Sequence, residues 1–186
     1  NGYFCKDGNG EDFIMGVWPG KCCFPDMLDD KARQWFGDKY RILIDKGIDG
    51  FWNDMNEPAI FYSEKRLKKV FEKMEDYKKM NLDVNTFFEM TGMIGSICNN
   101  PEDYASFYHN YKGKRYRHDK VHNLFGYYMT RSASEAFERY VPEKRILLFS
   151  RASYIGMHRF GGIWQGDNAS RWSHLKMNVK MMPSLN

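Results

Sequence analysis

The sequence predicts an α/β fold built on a parallel sheet, and more specifically a portion of a (β/α)8 barrel. Short apolar segments typical of strands alternate with amphipathic helices along the chain. Polar residues follow directly after two of these strands, which is where barrel enzymes build their active sites. A complete barrel needs roughly 250 residues, so the 186 residues present here fit only a part of one.

Three short apolar segments have the length and composition of buried strands. They are residues 13–18, 48–53 and 145–150. The first ends at Pro19-Gly20, a dipeptide typical of turns. The third, RILLFS, is apolar enough to lie in a parallel sheet that is covered on both faces.

Four segments carry apolar residues at helical spacing. They are residues 29–46, 63–76, 123–140 and 170–182. Asp29 or Asp30 caps the first of these helices, and Gly47 ends it because a helix C-terminus favours a left-handed residue. Pro142 stops the third helix. Residues 161–167, which surround Trp164, are rich in glycine and predicted to form a turn region.

The stretch between residues 80 and 119 has no regular hydrophobic period. It contains helical pieces together with Asn-Pro and Lys-Gly dipeptides that indicate turns. We interpret it as an insertion that is carried on a loop of the barrel.

Charge and hydropathy argue against two classes of protein, although nucleic-acid binding by the basic stretches stays open as a distant alternative. The 28 Lys and Arg residues and 24 Asp and Glu residues leave a net charge of +4, which is too small to indicate nucleic-acid binding. The lysines of residues 65–79 are interleaved with acidic residues, as on a solvated helix face. No run of eighteen apolar residues occurs, so no membrane span is expected.

The cysteines are four, namely Cys5, Cys22, Cys23 and Cys98. Two of them are adjacent and none has CxxC spacing, so neither a zinc ribbon nor a disulfide framework is indicated. Free thiols favour a reducing compartment such as the cytoplasm.

Aromatic residues make up 17% of the chain, more than a core of this size needs. They either line a pocket that stacks on sugar rings or form a large aromatic core. Asp49, Asp54 and Glu57 lie in DGFWNDMNEPA, and Asp167 lies in a second tryptophan-containing segment, GGIWQGDNASRW. Two carboxylates at separate strand ends suit glycoside hydrolysis, although aspartates that cap helices or turns are the alternative.

The motifs around these carboxylates resemble those of glycoside hydrolase family 31, the family of α-glucosidases. FWNDMNEP matches the family's nucleophile signature, and VWPGKCCFPDM matches a segment just upstream of it. RILLFSRASYIGMHRFGGIWQGDNASRW matches the segment that carries the acid/base, and a weaker match, HNLFGYYM, lies between them. The resemblance implies a central fragment of the catalytic domain, about the third to sixth β/α units, with residues of about 61–118 as a variable insertion.

The resemblance also implies a role for each motif residue. Asp54 matches the catalytic nucleophile, which forms a covalent glycosyl-enzyme, and Asp167 matches the general acid/base. Arg151 matches the arginine that binds the sugar in the cleavage subsite, and Asn56 and Glu57 match supporting positions. The walls of the same pocket are matched by Trp18, Trp52, Met55 and Trp164.

The implied activity is that of a retaining α-glucosidase that acts on oligosaccharides with α-linked glucose. Relatives that act on α-xylosides carry KTDFGE at the nucleophile. This chain has WNDMNE there, which favours glucose-type substrates. An α-glucan lyase or a transglycosylase of the same family uses the same carboxylates, and a non-catalytic carbohydrate-binding relative remains a third alternative. The preferred linkage and the oligomeric state stay open.

No cofactor and no metal are expected for this chemistry. His118 and His122 have the spacing of a zinc pair, but the glutamate of that motif and a third ligand are missing. The glycines at positions 156, 161, 162 and 166 do not form the pattern of a dinucleotide site.

Overall fold

A computed structural model describes residues 2–184 of the chain, as nine strands, eight α-helices and two short 3-10 helices, Met157–Arg159 and Met182–Ser184. The strands are β1 (Lys6–Asp7), β2 (Ile14–Val17), β3 (Gly20–Cys23), β4 (Gly50–Asn53), β5 (Tyr62–Ser63), β6 (Phe107–Tyr111), β7 (Lys114–Arg117), β8 (Leu147–Ser150) and β9 (Gly162–Ile163). The helices are α1 (Asp30–Asp38), α2 (Arg41–Ile44), α3 (Glu64–Tyr77), α4 (Val84–Gly95), α5 (Pro101–Tyr104), α6 (His118–Val121), α7 (Leu124–Tyr140) and α8 (Trp172–Met181). No helix among these residues is long and apolar enough to cross a membrane.

The parallel sheet has the order β4-β8-β9 and represents the barrel portion of the chain. The register pairs Asn53 with Ser150 and Ser150 with Ile163, so the three strands end side by side at one edge. The strands predicted at residues 48–53 and 145–150 are confirmed as β4 and β8. The third, β9, lies where only a turn region was predicted, because two residues are too short to show a periodicity.

The expectation that residues 13–18 belong to this parallel sheet is wrong. The segment does form a strand, β2, but β2 pairs antiparallel with β3 and with β5. The short connection Trp18-Pro19 explains the difference, because two residues can join only antiparallel neighbours. Gly20 has a φ of 110°, a conformation that favours glycine.

The helix predicted over residues 29–46 is divided into α1 and α2. Its predicted cap is confirmed for Asp29, whose Oδ1 accepts hydrogen bonds from the backbone N–H groups of Lys31 and Ala32, both at 3.0 Å. Backbone bonds near Tyr40 tighten to the i→i−3 pattern of a 3-10 turn, which breaks the helix there. Gly47 has a φ of 85° just after α2, as predicted for the end of the helix.

Two apolar clusters form the core. The smaller lies between α2, α7 and β8 and consists of Ile44, Ala133, Phe137 and Leu148. The larger includes Phe125 from the first turn of α7 and consists of Cys5, Phe13, Met15, Phe24, Met27, Ile60, Phe107 and Phe125. Half of its members are aromatic, so the high aromatic content serves the core as well as the site described below.

The stretch without a regular period, residues 80–119, is ordered. It contains α4, α5 and a β6-β7 hairpin, to which β1 adds a third strand. Lys112 and Gly113 connect the hairpin, both with positive φ (52° and 76°), as a type I′ turn requires. The predicted Lys-Gly turn is therefore confirmed. None of the described strands between β4 and β8 pairs with the parallel sheet.

Candidate active site

The carboxyl edge of the parallel sheet brings together residues that are far apart in sequence. The backbone N–H of Arg151 donates to the carbonyl of Asn53 (3.0 Å), and that of Trp164 donates to the carbonyl of Ser150 (2.9 Å). These bonds continue the strand register by one residue. They set Asp54, Arg151 and Trp164 at the three strand ends, where barrel enzymes carry their catalytic groups.

Arg151 lies at the centre of three carboxylates. Its Nε and Nη2 donate to the two carboxylate oxygens of Glu57, at 2.7 and 3.0 Å, as a bidentate pair. Its Nη1 lies 3.0 Å from Oδ1 of Asp54 and 3.9 Å from Oδ2 of Asp167. The hydrogen bonds to Glu57, followed by the charges of Glu57, Asp54 and Asp167, raise the pKa of the Arg151 guanidinium above its usual value.

The two candidate catalytic carboxylates differ in exposure. The Asp54 side chain is 38% exposed and that of Asp167 is 85% exposed. Oδ1 of Asp54 also accepts a hydrogen bond from the backbone N–H of Met55 (2.7 Å), which fixes that oxygen. Met55 itself has a φ of 55°, in the left-handed region that non-glycine residues rarely adopt.

Asn56 joins the segments that follow β4 and β8. Its side chain is almost fully buried, with 1% exposure. Its Nδ2 donates to Oγ of Ser150 (2.7 Å), and its Oδ1 accepts from the backbone N–H of Ala152 (3.0 Å). A Cβ at Gly126 of α7 would lie 2.9 Å from the Asn56 carbonyl and 2.5 Å from Cβ of Ala152. Glycine at position 126 thus lets α7 approach this junction.

Two tryptophans form an aromatic wall beside Arg151. The rings of Trp52 and Trp164 meet edge to face with centroids 4.7 Å apart, and the guanidinium of Arg151 lies 5.8 Å from the Trp164 ring. Trp18 does not join this group among the described residues. It packs against Phe61 at 5.9 Å and is 77% exposed.

Sequence reasoning missed several side chains that hold the site in place. The hydroxyl of Tyr40 donates to Oδ1 of Asn53 (2.8 Å), the last residue of β4. The hydroxyl of Tyr104 lies 3.0 Å from the carbonyl of Pro58, directly after Glu57, and 2.8 Å from Oδ1 of Asn99, and it can donate to either. Oγ of Ser150 donates to the carbonyl of Ala152 (2.8 Å). Ser150 lies within a recognised motif, whereas nothing in the sequence distinguishes the two tyrosines from core residues.

A second polar cluster lies away from this edge, where Cys5, Asp26 and His109 are all buried. The His109 Nδ1 lies 2.7 Å from Asp26 Oδ1 and 3.4 Å from Cys5 Sγ. The shorter distance is that of a hydrogen bond. Burial, followed by the charge of Asp26, raises the pKa of the Cys5 thiol well above its usual value, which disfavours the thiolate that metals bind.

His118 and His122, the pair with zinc-like spacing, bond to each other. His118 Nε2 and His122 Nδ1 lie 2.8 Å apart, and His118 Nδ1 lies 2.9 Å from His109 Nε2. Both nitrogens of His118 are therefore engaged in hydrogen bonds.

Paired carboxylates, an arginine and tryptophans at the carboxyl edge of a partial barrel are typical of glycoside hydrolases. The comparison with protein families agrees with this class. The chain belongs to glycosyl hydrolase family 31, because the model described as "Glycosyl hydrolases family 31 TIM-barrel domain" matches residues 1–186.

Named relatives come from several organisms. The chain is 32% identical over 183 residues to "Alpha-glucosidase 2" of Bacillus thermoamyloliquefaciens, covering 98% of this chain and 19% of that protein. It is 30% identical over 184 residues to "Alpha-glucosidase" of Saccharolobus solfataricus, covering 99% and 24%. A solved family 31 α-glucosidase from Bacteroides thetaiotaomicron has a TM-score of 0.60 at 28% identity, covering 98% and 23%. The chain thus spans a quarter or less of these relatives' lengths.

Proposed function

We propose that the full-length protein is a retaining α-glucosidase that releases terminal α-linked glucose from oligosaccharides. Asp54 is the nucleophile and Asp167 the acid/base. The single observation that carries this proposal is the Nη1 atom of Arg151, which is close to both carboxylates. The names of the relatives support the activity and the type of substrate.

The separation of the carboxylates supports a retaining mechanism. Oδ1 of Asp54 and Oδ2 of Asp167 lie 3.0 and 3.9 Å from one nitrogen, so they can be no farther apart than the sum of these distances. Retaining enzymes hold their carboxyl groups about 5–5.5 Å apart, whereas inverting enzymes leave about 6.5–9.5 Å for a water molecule. The upper limit admits the retaining separation and excludes most of the inverting range, which supports direct attack on the sugar.

The contacts of Asp54 suggest which of its oxygens reacts. Oδ1 receives the Met55 N–H and the Arg151 guanidinium, so Oδ2 attacks the anomeric carbon. As the new C–O bond forms, the glycosidic C–O bond breaks and Asp167 gives its proton to the leaving oxygen. A water molecule then attacks the same carbon, Asp167 takes a proton from it, and the bond to Asp54 breaks.

Arg151 and the two tryptophans are the proposed binding groups for the glucose ring. The bidentate pair with Glu57 holds the guanidinium in one orientation, which suits a fixed donor for sugar hydroxyls. The exposed part of Trp52 offers an apolar face for the C–H groups of the ring. Met55 and Trp18 are proposed as further walls, and the exposed Trp18 ring packs against Phe61.

We also propose that residues of about 61–118 form an insertion in the barrel. In support, β4 and β8 are adjacent in the parallel sheet although all of this stretch lies between them. Its own strands pair with β1 and β2 instead.

Covalent trapping tests the proposed function. A 5-fluoroglucosyl fluoride reacts as a substrate but slows hydrolysis of the glycosyl-enzyme, so the full-length protein should retain one sugar on the peptide that contains Asp54. Mass spectrometry locates the label, and Asp49→Asn is a matched control because Asp49 lies in the same motif and pairs with Lys144 (3.1 Å). A label on another carboxylate contradicts the assignment. Release of free glucose rather than an anhydro-sugar distinguishes hydrolase from lyase.

A further inference from the structure

The place of Asp167 in the site depends on how its backbone is held. Asp167 lies on the connection between β9 and α8, residues 164–171, here called the Asp167 loop. Its side chain is 85% exposed, and among residues 2–184 its carboxylate has one ion-pair partner, Nη1 of Arg151 at 3.9 Å. A contact of that length does not fix a carboxyl group. The bonds of the Asp167 loop must therefore set where this carboxyl group lies.

The first half of the Asp167 loop is held to β8 and to itself. The Trp164 N–H donates to the Ser150 carbonyl at the end of β8 (2.9 Å). Gly166 then turns the backbone with a φ of 86°, a conformation that favours glycine. Nδ2 of Asn168 donates back to the carbonyl of Gln165 (3.1 Å). These bonds leave the second half of the loop to be held from elsewhere.

The second half is held by a histidine of α8. The backbone N–H of Ala169, two residues after Asp167, donates to Nδ1 of His174 at 3.0 Å. His174 is the third residue of α8, so its side chain reaches back from the first helical turn to the loop that precedes it. A second link to α8, from Nε2 of Gln165 to the carbonyl of Asn178, is longer at 3.3 Å. The bond to His174 is the shorter of the two links.

The direction of the bond to His174 is fixed by its donor. A backbone N–H can only donate, so Nδ1 of His174 is the acceptor. An imidazole nitrogen that accepts carries no hydrogen, and the hydrogen of the neutral ring is then on Nε2. The ring thus acts in this bond through one defined nitrogen, which a substitution can remove or replace.

We propose that His174 is a positioning residue for Asp167. Its bond to the Ala169 N–H holds the end of the Asp167 loop against α8 and so keeps the Asp167 carboxyl beside Arg151 and within reach of the leaving oxygen. A catalytic group that is misplaced by about 1 Å can cost about 100-fold in rate. This role rests on the proposed function, in which Asp167 is the acid/base.

Substrates with different leaving groups test this role. Proton donation matters most for a poor leaving group such as the sugar oxygen of maltose, and little when fluoride leaves from α-glucosyl fluoride. His174→Leu removes the acceptor and keeps a good helix former. In the full-length protein it should lower kcat/KM for maltose about 30-fold and that for the fluoride by no more than about threefold. A merely structural loss would lower both values alike.

Rescue by a conservative variant sharpens the test. Asparagine carries an amide oxygen close to where Nδ1 of histidine lies, so His174→Asn should keep kcat/KM for maltose within about threefold of wild type. His158→Leu, at an exposed histidine of another segment, is the matched control and should change neither substrate. Equal losses on both substrates in His174→Leu, or a His174→Asn variant no better than His174→Leu, overturn the proposal.

Failure of the proposed function is distinguishable from failure of this role. Asp167→Ala should itself lose far more activity on maltose than on the fluoride. Equal losses in Asp167→Ala would contradict the acid/base assignment, and the role of His174 with it. Unequal losses in Asp167→Ala together with equal losses in His174→Leu would overturn the role of His174 alone.

The wild-type protein offers a test that needs no activity assay. Nitrogen-15 NMR of the histidine-labelled full-length protein, with the His174 signals identified by their loss in His174→Asn, should show a hydrogen on Nε2 and none on Nδ1. A neutral His174 ring with its hydrogen on Nδ1 overturns the proposal, even if His174→Leu does not fold.

Discussion

The Arg151 site and the histidine chain are both polar, yet they stabilise their polar groups in opposite ways. Around Arg151, three carboxylates gather about one guanidinium and remain partly open to solvent. In the histidine chain, formed by His109, His118 and His122, the rings bond to one another in the interior, and a single carboxylate, Asp26, ends the chain. Burial of isolated charges is costly, whereas neutral groups that are fully hydrogen-bonded are tolerated.

The groups proposed to meet the substrate lie at the carboxyl edge of the parallel sheet, whereas most of the histidine chain is buried in the interior. This comparison predicts that changes at the Arg151 site reduce catalysis while the protein remains folded. Changes in the histidine chain should instead alter how stability depends on pH.

The largest effect is expected from Asp54→Asn. Asparagine keeps the size of the side chain and can still accept from the Met55 N–H, but it has lost the nucleophilic charge. We expect kcat/KM to fall by at least about 10³-fold with little change in the thermal midpoint of the full-length protein. Asp49→Asn should stay close to wild type. Activity within a few-fold of wild type in Asp54→Asn would show that the nucleophile lies elsewhere.

A smaller loss is expected from Arg151→Lys. Lysine keeps the positive charge, but a single ammonium cannot bond both Glu57 oxygens and also reach Asp54. We expect kcat/KM to fall about 100-fold, as measured with an aryl glucoside. The control is Arg159→Lys, whose exposed side chain bonds to the Tyr127 hydroxyl. Equal effects of the two substitutions would contradict a special role for the planar guanidinium of Arg151.

The smallest effect concerns pH and the histidine chain. Folded His118 resists protonation because its pKa is lowered to about 2, whereas the unfolded ring has a pKa of about 6.5. Unfolding therefore takes up a proton below about pH 6.5. The stability that this ring contributes is fully present above that pH and is lost as the pH falls, by up to about 1.4 kcal/mol per pH unit.

His118→Gln tests this dependence. The glutamine amide can donate to His109 and accept from His122 without titrating in this range. Thermal melts of the full-length protein between pH 7 and pH 5 should therefore show a weaker loss of stability in the variant. His158→Gln, at an exposed position, should keep the wild-type slope. An unchanged slope in His118→Gln would mean that this ring is already protonated in the folded protein.

The sequence predicts those features that depend on residues within one segment, and it fails for those that depend on contacts between distant segments. Helix α7 and strands β4 and β8 follow from apolar spacing within each segment. The two-residue strand β9 was missed because it is too short for any period, and the sheet to which β2 belongs was wrong. Strand pairing depends on contacts between distant segments, and apolar composition alone does not give the partner.

In the candidate site, too, single residues can be predicted from local motifs, whereas the contacts between them cannot. Asp54 and Arg151 were named from motifs, but the bidentate pair between Glu57 and Arg151 depends on the register of β4 against β8 across 94 positions. His118 and His122 stood out by their spacing, and metal binding was the function weighed for them. Their actual neighbour His109, and through it Asp26, comes from the hairpin β6-β7 and from a loop 83 residues away. Only the folded chain brings these groups together.

The central claim is that Asp54 attacks the sugar directly while Asp167 acts from the other side of the bond. Proton NMR of the first product released by the full-length protein from an α-glucoside tests it most directly. Two successive displacements at the anomeric carbon predict that α-glucose appears first and converts to the β-anomer only by mutarotation. If β-glucose appears first, a water molecule has attacked in a single displacement, and the retaining mechanism proposed for these two carboxylates is wrong.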